Sequence, residues 1–221
     1  RIARYWDVPL RNNQAPDRSE EDCTEELRAM LDVSVRRRLV ADVPVGLFVS
    51  GGLDSGIVAA VAAKAKSELD CFSIGFDEPS FDESVYSKTI AASLGIRHHL
   101  KMFTGRDMLQ LVEQLPRLLD EPLADPSVFP LYLLSKFAAG HLKVVLSGDG
   151  GDELFAGYQT FQADKLMRYY SALPGFVKNS IRTISQHLPV SHDYLSADYK
   201  IKQFLKADGV APEIRFFLWR G

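Results

Sequence analysis

The sequence has 221 residues, of which 46% are hydrophobic and 25% charged, the balance of an ordinary globular protein. The net charge is −3, so the chain lacks the strong positive charge of most nucleic-acid-binding proteins. The two cysteines, Cys23 and Cys71, form no CxxC motif, and no run of about 18 apolar residues predicts a membrane span. We therefore expect a cytoplasmic protein with neither a nucleic-acid nor a membrane partner.

The first predicted helix covers residues 19–38. Ser19 can cap its N-terminus, acidic residues occupy its first turn, and arginines occupy its last. The residues before it show no hydrophobic periodicity and contain Pro9 and Pro16, so we interpret residues 1–19 as a linker from an upstream domain. The chain starts at Arg1 rather than Met and stops directly after an apolar segment. We expect both ends to be cuts in a longer protein.

Short apolar segments then alternate with longer segments up to residue 146. The short ones predict buried strands at residues 45–49, 71–76, 97–102 and 143–146. The longer ones predict helices at residues 54–66, 82–94, 107–119 and 127–139. This alternation predicts an α/β fold in which a parallel sheet has helices on both faces.

The C-terminal part of the sequence has a different character. Helices are predicted at residues 161–171, 175–188 and 199–205, with no strand between them. We interpret this part as the start of an all-helical portion. The predicted organisation is the linker at 1–19, an α/β domain at 20–158 and a truncated helical extension at 159–221.

A glycine-rich loop, SGGLDS at residues 50–55, follows the first predicted strand. Ligands of open α/β sheets bind at the carboxyl ends of the strands. Glycines allow close approach of the backbone to an anion, and the next helix offers unpaired N–H groups, so we predict a phosphate site. Asp54 would repel a phosphate unless a divalent cation such as Mg²⁺ lies between them. The alternative is a Gly-Gly turn in which Asp54 caps the helix.

A second polar loop, SGDGGDELFAGY at residues 147–158, follows the last predicted strand. Its acids Asp149, Asp152 and Glu153 lie close together among glycines, where a cation and a solvated substrate would neutralise their repulsion. The alternative is an acidic helix start favoured by the helix dipole. That alternative leaves Asp149 and the glycines unexplained.

These two loops carry a resemblance to known enzymes. Residues 50–55 resemble the SGGxDS pyrophosphate-binding loop of N-type ATP pyrophosphatases, and residues 147–158 resemble the SGxGxDExFxGY segment of the asparagine synthetase family. LDEP at 119–122 and DPS at 125–127 resemble the same family. The resemblance implies an ATP-pyrophosphatase-like fold. It also implies a carbon–nitrogen ligase that activates the aspartate side chain as an acyl-adenylate, releases pyrophosphate and then forms an amide with ammonia.

The resemblance also implies roles for individual residues. The residues that would bind ATP are Phe48, Ser50, Gly51, Gly52, Asp54, Ser55, Ile74, Ser147 and Gly148. Asp54 and Asp152 would hold Mg²⁺. Asp149, Glu153 and Tyr158 would face the aspartate and the reacting centre, and Asp120 and Asp125 are expected to line the same cleft. Ammonia would come from glutamine in an upstream glutaminase domain, and a homodimer is a further expectation.

The sequence departs from the family pattern in several places. Asp149 stands where well-studied amide-forming members have Glu. The amino-terminal Cys of the glutaminase domain is absent, as is a later Arg-x-Pro-Phe-Leu-Asp segment with its pyrophosphate-binding Lys. Two alternatives stay open: a related ligase for another carboxylate, either β-lactam-forming or glycan- or peptide-modifying, and a non-catalytic nucleotide-binding module.

Other residues with reactive or aromatic side chains have structural explanations. His98 and His99 are adjacent on a predicted strand and would point to opposite faces, so we interpret them as packing and surface residues. Cys71 lies in an apolar strand and is predicted to be part of the core. Aromatic residues near the ends are expected either to pack against helices or to mark a surface that covered missing parts of a longer protein, namely Trp6, Phe216, Phe217 and Trp219.

Overall fold

The computed structural model describes residues 3–5, 18–121, 123, 125–191 and 196–220. Trp6 and most of the predicted linker lie outside these residues. The described strands are β1 Val45–Phe48, β2 Asp70–Phe76, β3 Arg97–Phe103 and β4 Val144–Leu146. The described helices are α1 Glu20–Arg38, α2 Leu53–Ala65, α3 Ser84–Leu94, α4 Gly105–Val112, α5 Leu115–Leu118, α6 Val128–Ala139, α7 Gly151–Phe155, α8 Gln159–Ser171, α9 Gly175–Gln186, α10 Ala197–Lys206 and α11 Pro212–Arg220.

The strands form one parallel sheet in the order β3-β2-β1-β4. Helices α1, α2 and α3 pack on one face, where the buried core includes Leu47, Ala59 and Cys71. Helices α4 and α6 contribute Leu111 and Leu133 to a second apolar cluster on the other face. Successive side chains of a strand point to opposite faces, so the central strand β1, which is covered on both sides, is apolar throughout. The predicted α/β fold is confirmed.

Local sequence features explain where several of these helices begin and end. The Ser19 hydroxyl accepts a hydrogen bond of 3.0 Å from the Asp22 N–H and caps α1 as predicted. Gly95 ends α3 in the left-handed conformation, with φ of 66°. The prediction of a single helix over 107–119 was wrong. It is divided into α4 and α5, and Pro116 lies in the first turn of α5, where its missing N–H costs no helical hydrogen bond.

The C-terminal part contains only helices among its described residues, as the sequence predicted. Helices α8, α10 and α11 share a small core in which Met167 and Ala207 are fully buried. Trp219 of α11 stacks on Phe204, and its indole N–H donates to the Gln203 carbonyl at 3.1 Å. Helix α11 was not predicted. Packing of its aromatic residues was predicted, and Trp219 packs in this way, whereas Phe217 is 74% exposed. The division of the chain at residue 158 stays a prediction.

Cys71, His98 and His99, reactive side chains outside the two loops, are buried or partly buried. Cys71 is buried, and burial raises the pKa of its thiol to about 11, so it is a core residue as predicted. His98 Nε2 lies 2.9 Å from Ser73 Oγ, and His99 Nε2 lies 2.7 Å from Asp70 Oδ1. None of the helices described here is both long and apolar enough to cross a membrane.

Candidate active site

The two polar loops meet at the carboxyl edge of the sheet. β1 lies beside β4, so the loops that follow these strands emerge next to each other. Together with residues after β2, they surround a cavity of about 880 Å³. The residues for which the resemblance implies ATP binding, magnesium binding or catalysis all line this cavity, namely Phe48, Ser50, Gly51, Gly52, Asp54, Ser55, Ile74, Ser147, Gly148, Asp149, Asp152, Glu153 and Tyr158. The roles of these residues stay predictions.

The first loop is held by its own serines. The Ser50 N–H donates to Ser55 Oγ at 3.1 Å, and the two hydroxyl oxygens are 2.9 Å apart. Gly52 is the N-cap of α2 and supplies no side-chain cap, while Asp54 is the second residue of the helix. The alternative in which Asp54 caps α2 is therefore not what the structure shows. The first turn of α2 leaves N–H groups without helical acceptors, which suits an anion.

The glycines of the second loop allow its backbone to lie against the first loop. A Cβ atom at Gly148 would lie 2.5 Å from the Ser55 nitrogen, and one at Gly151 would overlap the Asp54 carboxylate. Gly150 has φ of 91°, in the left-handed region that favours glycine, where it begins α7. An acidic helix start accounts for none of these glycines. Gly148 and Gly151 allow the second loop to lie against Asp54 and Ser55, and Gly150 allows the turn between them.

Gly148→Ala should destabilise the fold because the added methyl group meets backbone rather than a flexible side chain. We expect the free energy of unfolding to fall by about 1–3 kcal/mol, the usual cost of overpacking. Gly175→Ala is the matched control, since a Cβ there meets no atom within 4 Å and φ is not positive. Urea unfolding of both variants tests this, and equal stabilities would contradict the close approach of the two loops.

The acidic residues of the second loop differ in their partners. Asp149 Oδ2 accepts a hydrogen bond of 2.7 Å from Ser147 Oγ, and no side chain caps α7. Asp149 therefore does not cap the helix that follows it. Glu153 accepts a short hydrogen bond from the Tyr158 hydroxyl. Asp152 and Glu153 do lie in the first turn of α7, as the helix-start alternative predicts, and they also line the cavity.

The donor set fits a magnesium ion that is shared with a substrate. Mg²⁺ is usually held by one or two carboxylates together with phosphate oxygens and water. Asp54 and Asp152 line the same cavity, and Gly151, the residue before Asp152, lies against the Asp54 carboxylate. Within the described ranges, no group of three His, Cys, Asp or Glu side chains is arranged to hold a metal. An ion between these two aspartates would need ligands from the substrate.

Several lining residues were not predicted from the sequence. Phe76, Phe81 and Glu83 follow or end β2, and Pro130, Leu131 and Leu134 come from α6. The rule that ligands bind at the carboxyl ends of strands could have identified the first three. Asp120 and Asp125 do not line the cavity, contrary to expectation. Asp125 Oδ1 instead accepts a hydrogen bond of 2.9 Å from the Ser127 N–H ahead of α6.

A parallel sheet whose glycine-rich loop and helix N-terminus line a cavity at its carboxyl edge defines the class of α/β proteins with a nucleotide-binding fold. The particular family follows from comparison with known sequences. The asparagine synthase family model matches residues 26–211, and the chain belongs to that family.

The chain is similar to individual curated proteins and to a solved structure. A Methanocaldococcus jannaschii protein, provisionally named a glutamine-hydrolysing asparagine synthetase, is 37% identical over 95% of this chain and 40% of its own length. An amidase of Gibberella zeae is 33% identical over 80% of this chain and 29% of its own length. A solved NMN synthetase from Francisella tularensis is 15% identical, with a TM-score of 0.44 over 92% of this chain and 94% of that one. The chain thus spans well under half of the two curated relatives.

Proposed function

We propose that the chain is the synthetase part of an ATP-dependent ligase that converts a carboxylate into an amide. The observation that carries the proposal is the meeting of the two loops. The first loop, which suits a phosphate, and the second loop, which is acidic, line one cavity. Glycines of the second loop allow its backbone to lie against Asp54 of the first. Membership of the asparagine synthase family supports the same reaction class.

In the first half-reaction, the carboxylate is activated by ATP, and the first loop would bind the phosphates. The carboxylate oxygen attacks the α-phosphorus of ATP, the bond from that phosphorus to the bridging oxygen breaks, and pyrophosphate leaves with that bond's electrons. The N–H groups of loop 50–55 and the first turn of α2 would hold the departing pyrophosphate. Mg²⁺ on Asp54 and Asp152 would neutralise charge on the phosphate oxygens. Phe48 and Ile74 form an apolar wall suited to the adenine base, beside Ser147 and Gly148.

In the second half-reaction, ammonia reacts with the activated acyl group, and the acidic residues of the second loop would act there. Ammonia attacks the acyl carbon, the bond to the AMP oxygen breaks, and the nitrogen must lose a proton. Asp149 can accept that proton, because the residue is exposed and, among the described residues, its carboxylate has a hydrogen bond from the Ser147 hydroxyl alone. Glu153, hydrogen-bonded to Tyr158, would face the substrate on the same wall. We propose that ammonia comes from glutamine hydrolysed in a separate domain.

The side chain of aspartate is the proposed substrate. Because one relative is named an amidase, the alternative of a ligase that acts on another carboxylate stays open. The test is a screen of carboxylic acids for ATP-dependent pyrophosphate release by the full-length protein in the presence of ammonia and Mg²⁺. We expect release to require one carboxylate, with aspartate giving the highest rate and an amide as product. ATP binding without release for any acid would instead indicate a non-catalytic nucleotide-binding module.

A further inference from the structure

Ser73, a buried serine outside the two loops, links β3 to the start of the first loop, residues 50–55, through hydrogen bonds. Ser73 lies in the middle of β2 and is only 2% exposed. Its hydroxyl donates to the carbonyl of Val49 at 2.5 Å. Val49 follows the last residue of β1 and directly precedes Ser50. The side chain of Ser73 therefore holds the backbone at the point where the strand ends and the loop begins.

His98 of β3 holds the same hydroxyl from the other side. Its Nε2 lies 2.9 Å from Ser73 Oγ. A carbonyl oxygen can only accept, so the Ser73 proton points to Val49 and His98 must donate through an Nε2–H group. Burial, aided by Lys88 and His99, lowers the pKa of His98, which favours a neutral ring with one donor nitrogen.

The hydrogen bonds continue through one peptide unit into the loop. The carbonyl of Val49 and the N–H of Ser50 belong to the same peptide plane, and that N–H donates to Ser55 Oγ at 3.1 Å. An unbroken series of donors thus runs from His98 through Ser73 and the Val49–Ser50 peptide to Ser55. Such a series polarises its members in one direction, and it fixes the plane of the peptide at its centre.

We propose that Ser73 is a positioning residue for the phosphate-binding loop and that His98 orients the Ser73 hydroxyl for this purpose. This inference rests on the proposed function, since it assumes that loop 50–55 holds the pyrophosphate of ATP. The plane of the Val49–Ser50 peptide sets the direction in which the following loop leaves the sheet. Without the Ser73 hydroxyl, the Val49 carbonyl loses this hydrogen bond, and the peptide plane is held less firmly, by the Ser50 N–H bond to Ser55 Oγ on its other side.

The experiment compares two ligands on the full-length protein by calorimetry, inorganic pyrophosphate with Mg²⁺ and adenosine. Ser73→Ala should weaken pyrophosphate binding about tenfold, the scale of one lost hydrogen bond, and leave adenosine binding unchanged. Ser185→Ala is the control for loss of a buried serine, because Ser185 is also buried and donates to a backbone carbonyl, that of Arg182, far along the chain in α9. It should leave both affinities unchanged.

Variants of His98 test whether it acts through Ser73. His98→Gln keeps a nitrogen donor where Nε2 lies and should bind pyrophosphate almost as the unsubstituted protein does, whereas His98→Leu should weaken binding. Adding His98→Leu to Ser73→Ala should cost nothing further, since the two act in series. Additive losses would overturn the role of His98. Unchanged pyrophosphate binding by Ser73→Ala, or equal weakening of adenosine, would overturn the positioning role of Ser73. If the unsubstituted protein bound adenosine but no pyrophosphate, the proposed function would fall and this inference with it.

Discussion

Asp54→Asn is expected to reduce pyrophosphate release by at least about 100-fold, the scale seen when a stabiliser of transition-state charge is lost. The amide has nearly the shape of the carboxylate, so it should fit beside Gly151 as Asp54 does. It lacks the negative charge that would hold Mg²⁺ against the phosphates. The fold should be unaffected, because Asp54 makes no cap for α2. Pyrophosphate release measured over a Mg²⁺ titration, together with the melting temperature, tests this.

The control for this variant is Asp32→Asn. Asp32 lies on α1, where its carboxylate pairs with Arg36 at 2.7 Å on the protein surface. The Arg36 side chain, by its hydrogen bond, lowers the pKa of Asp32, but an exposed pair contributes little to stability. Asp32→Asn should therefore keep both activity and fold. Normal turnover with the normal Mg²⁺ requirement in Asp54→Asn would show that Asp54 has another role.

The sheet and the position of the cavity could be predicted because short-range patterns determine them. Apolar segments such as residues 71–76 have the length and composition of buried strands, and both glycine-rich loops follow such a segment directly. Parallel strands bring their carboxyl ends to one edge, so residues 50–55 and 147–158 had to lie at the same edge of the sheet. Neither step needs knowledge of tertiary contacts.

The remaining features depend on contacts between segments distant in sequence. The sequence shows that Gly148 and Gly151 are present, but not that they face Ser55 and Asp54. The lining residues of α6 could not be predicted, because the first two turns of this helix are apolar on every side and do not indicate which side faces the cavity. The same limit applies to Ser73, which is one polar residue in an apolar strand until its contact with the Val49 carbonyl is known.

Asp149→Asn should separate the two half-reactions. Asn keeps an oxygen that can accept the hydrogen bond from the Ser147 hydroxyl, so the side chain should stay in place. It cannot take a proton from the adduct of ammonia with the acyl group. We expect pyrophosphate release to continue while amide formation falls by about 100-fold or more, the usual scale for a lost general base. Both products can be measured in one reaction with saturating ammonia, as the ratio of amide to pyrophosphate.

Asp149→Glu is the matched comparison for this prediction. It introduces the Glu that well-studied amide-forming members of the family have at this position. The variant keeps a carboxylate that can accept a proton, one methylene further from the backbone. We expect it to keep the ratio of amide to pyrophosphate near that of the unsubstituted protein, whereas Asp149→Asn loses it. The comparison separates the effect of charge from that of shape, because Asp149→Glu retains a carboxylate and Asp149→Asn does not. A normal ratio in Asp149→Asn would mean that the proton leaves to water or another group, and that Asp149 serves only to hold Ser147 and the loop.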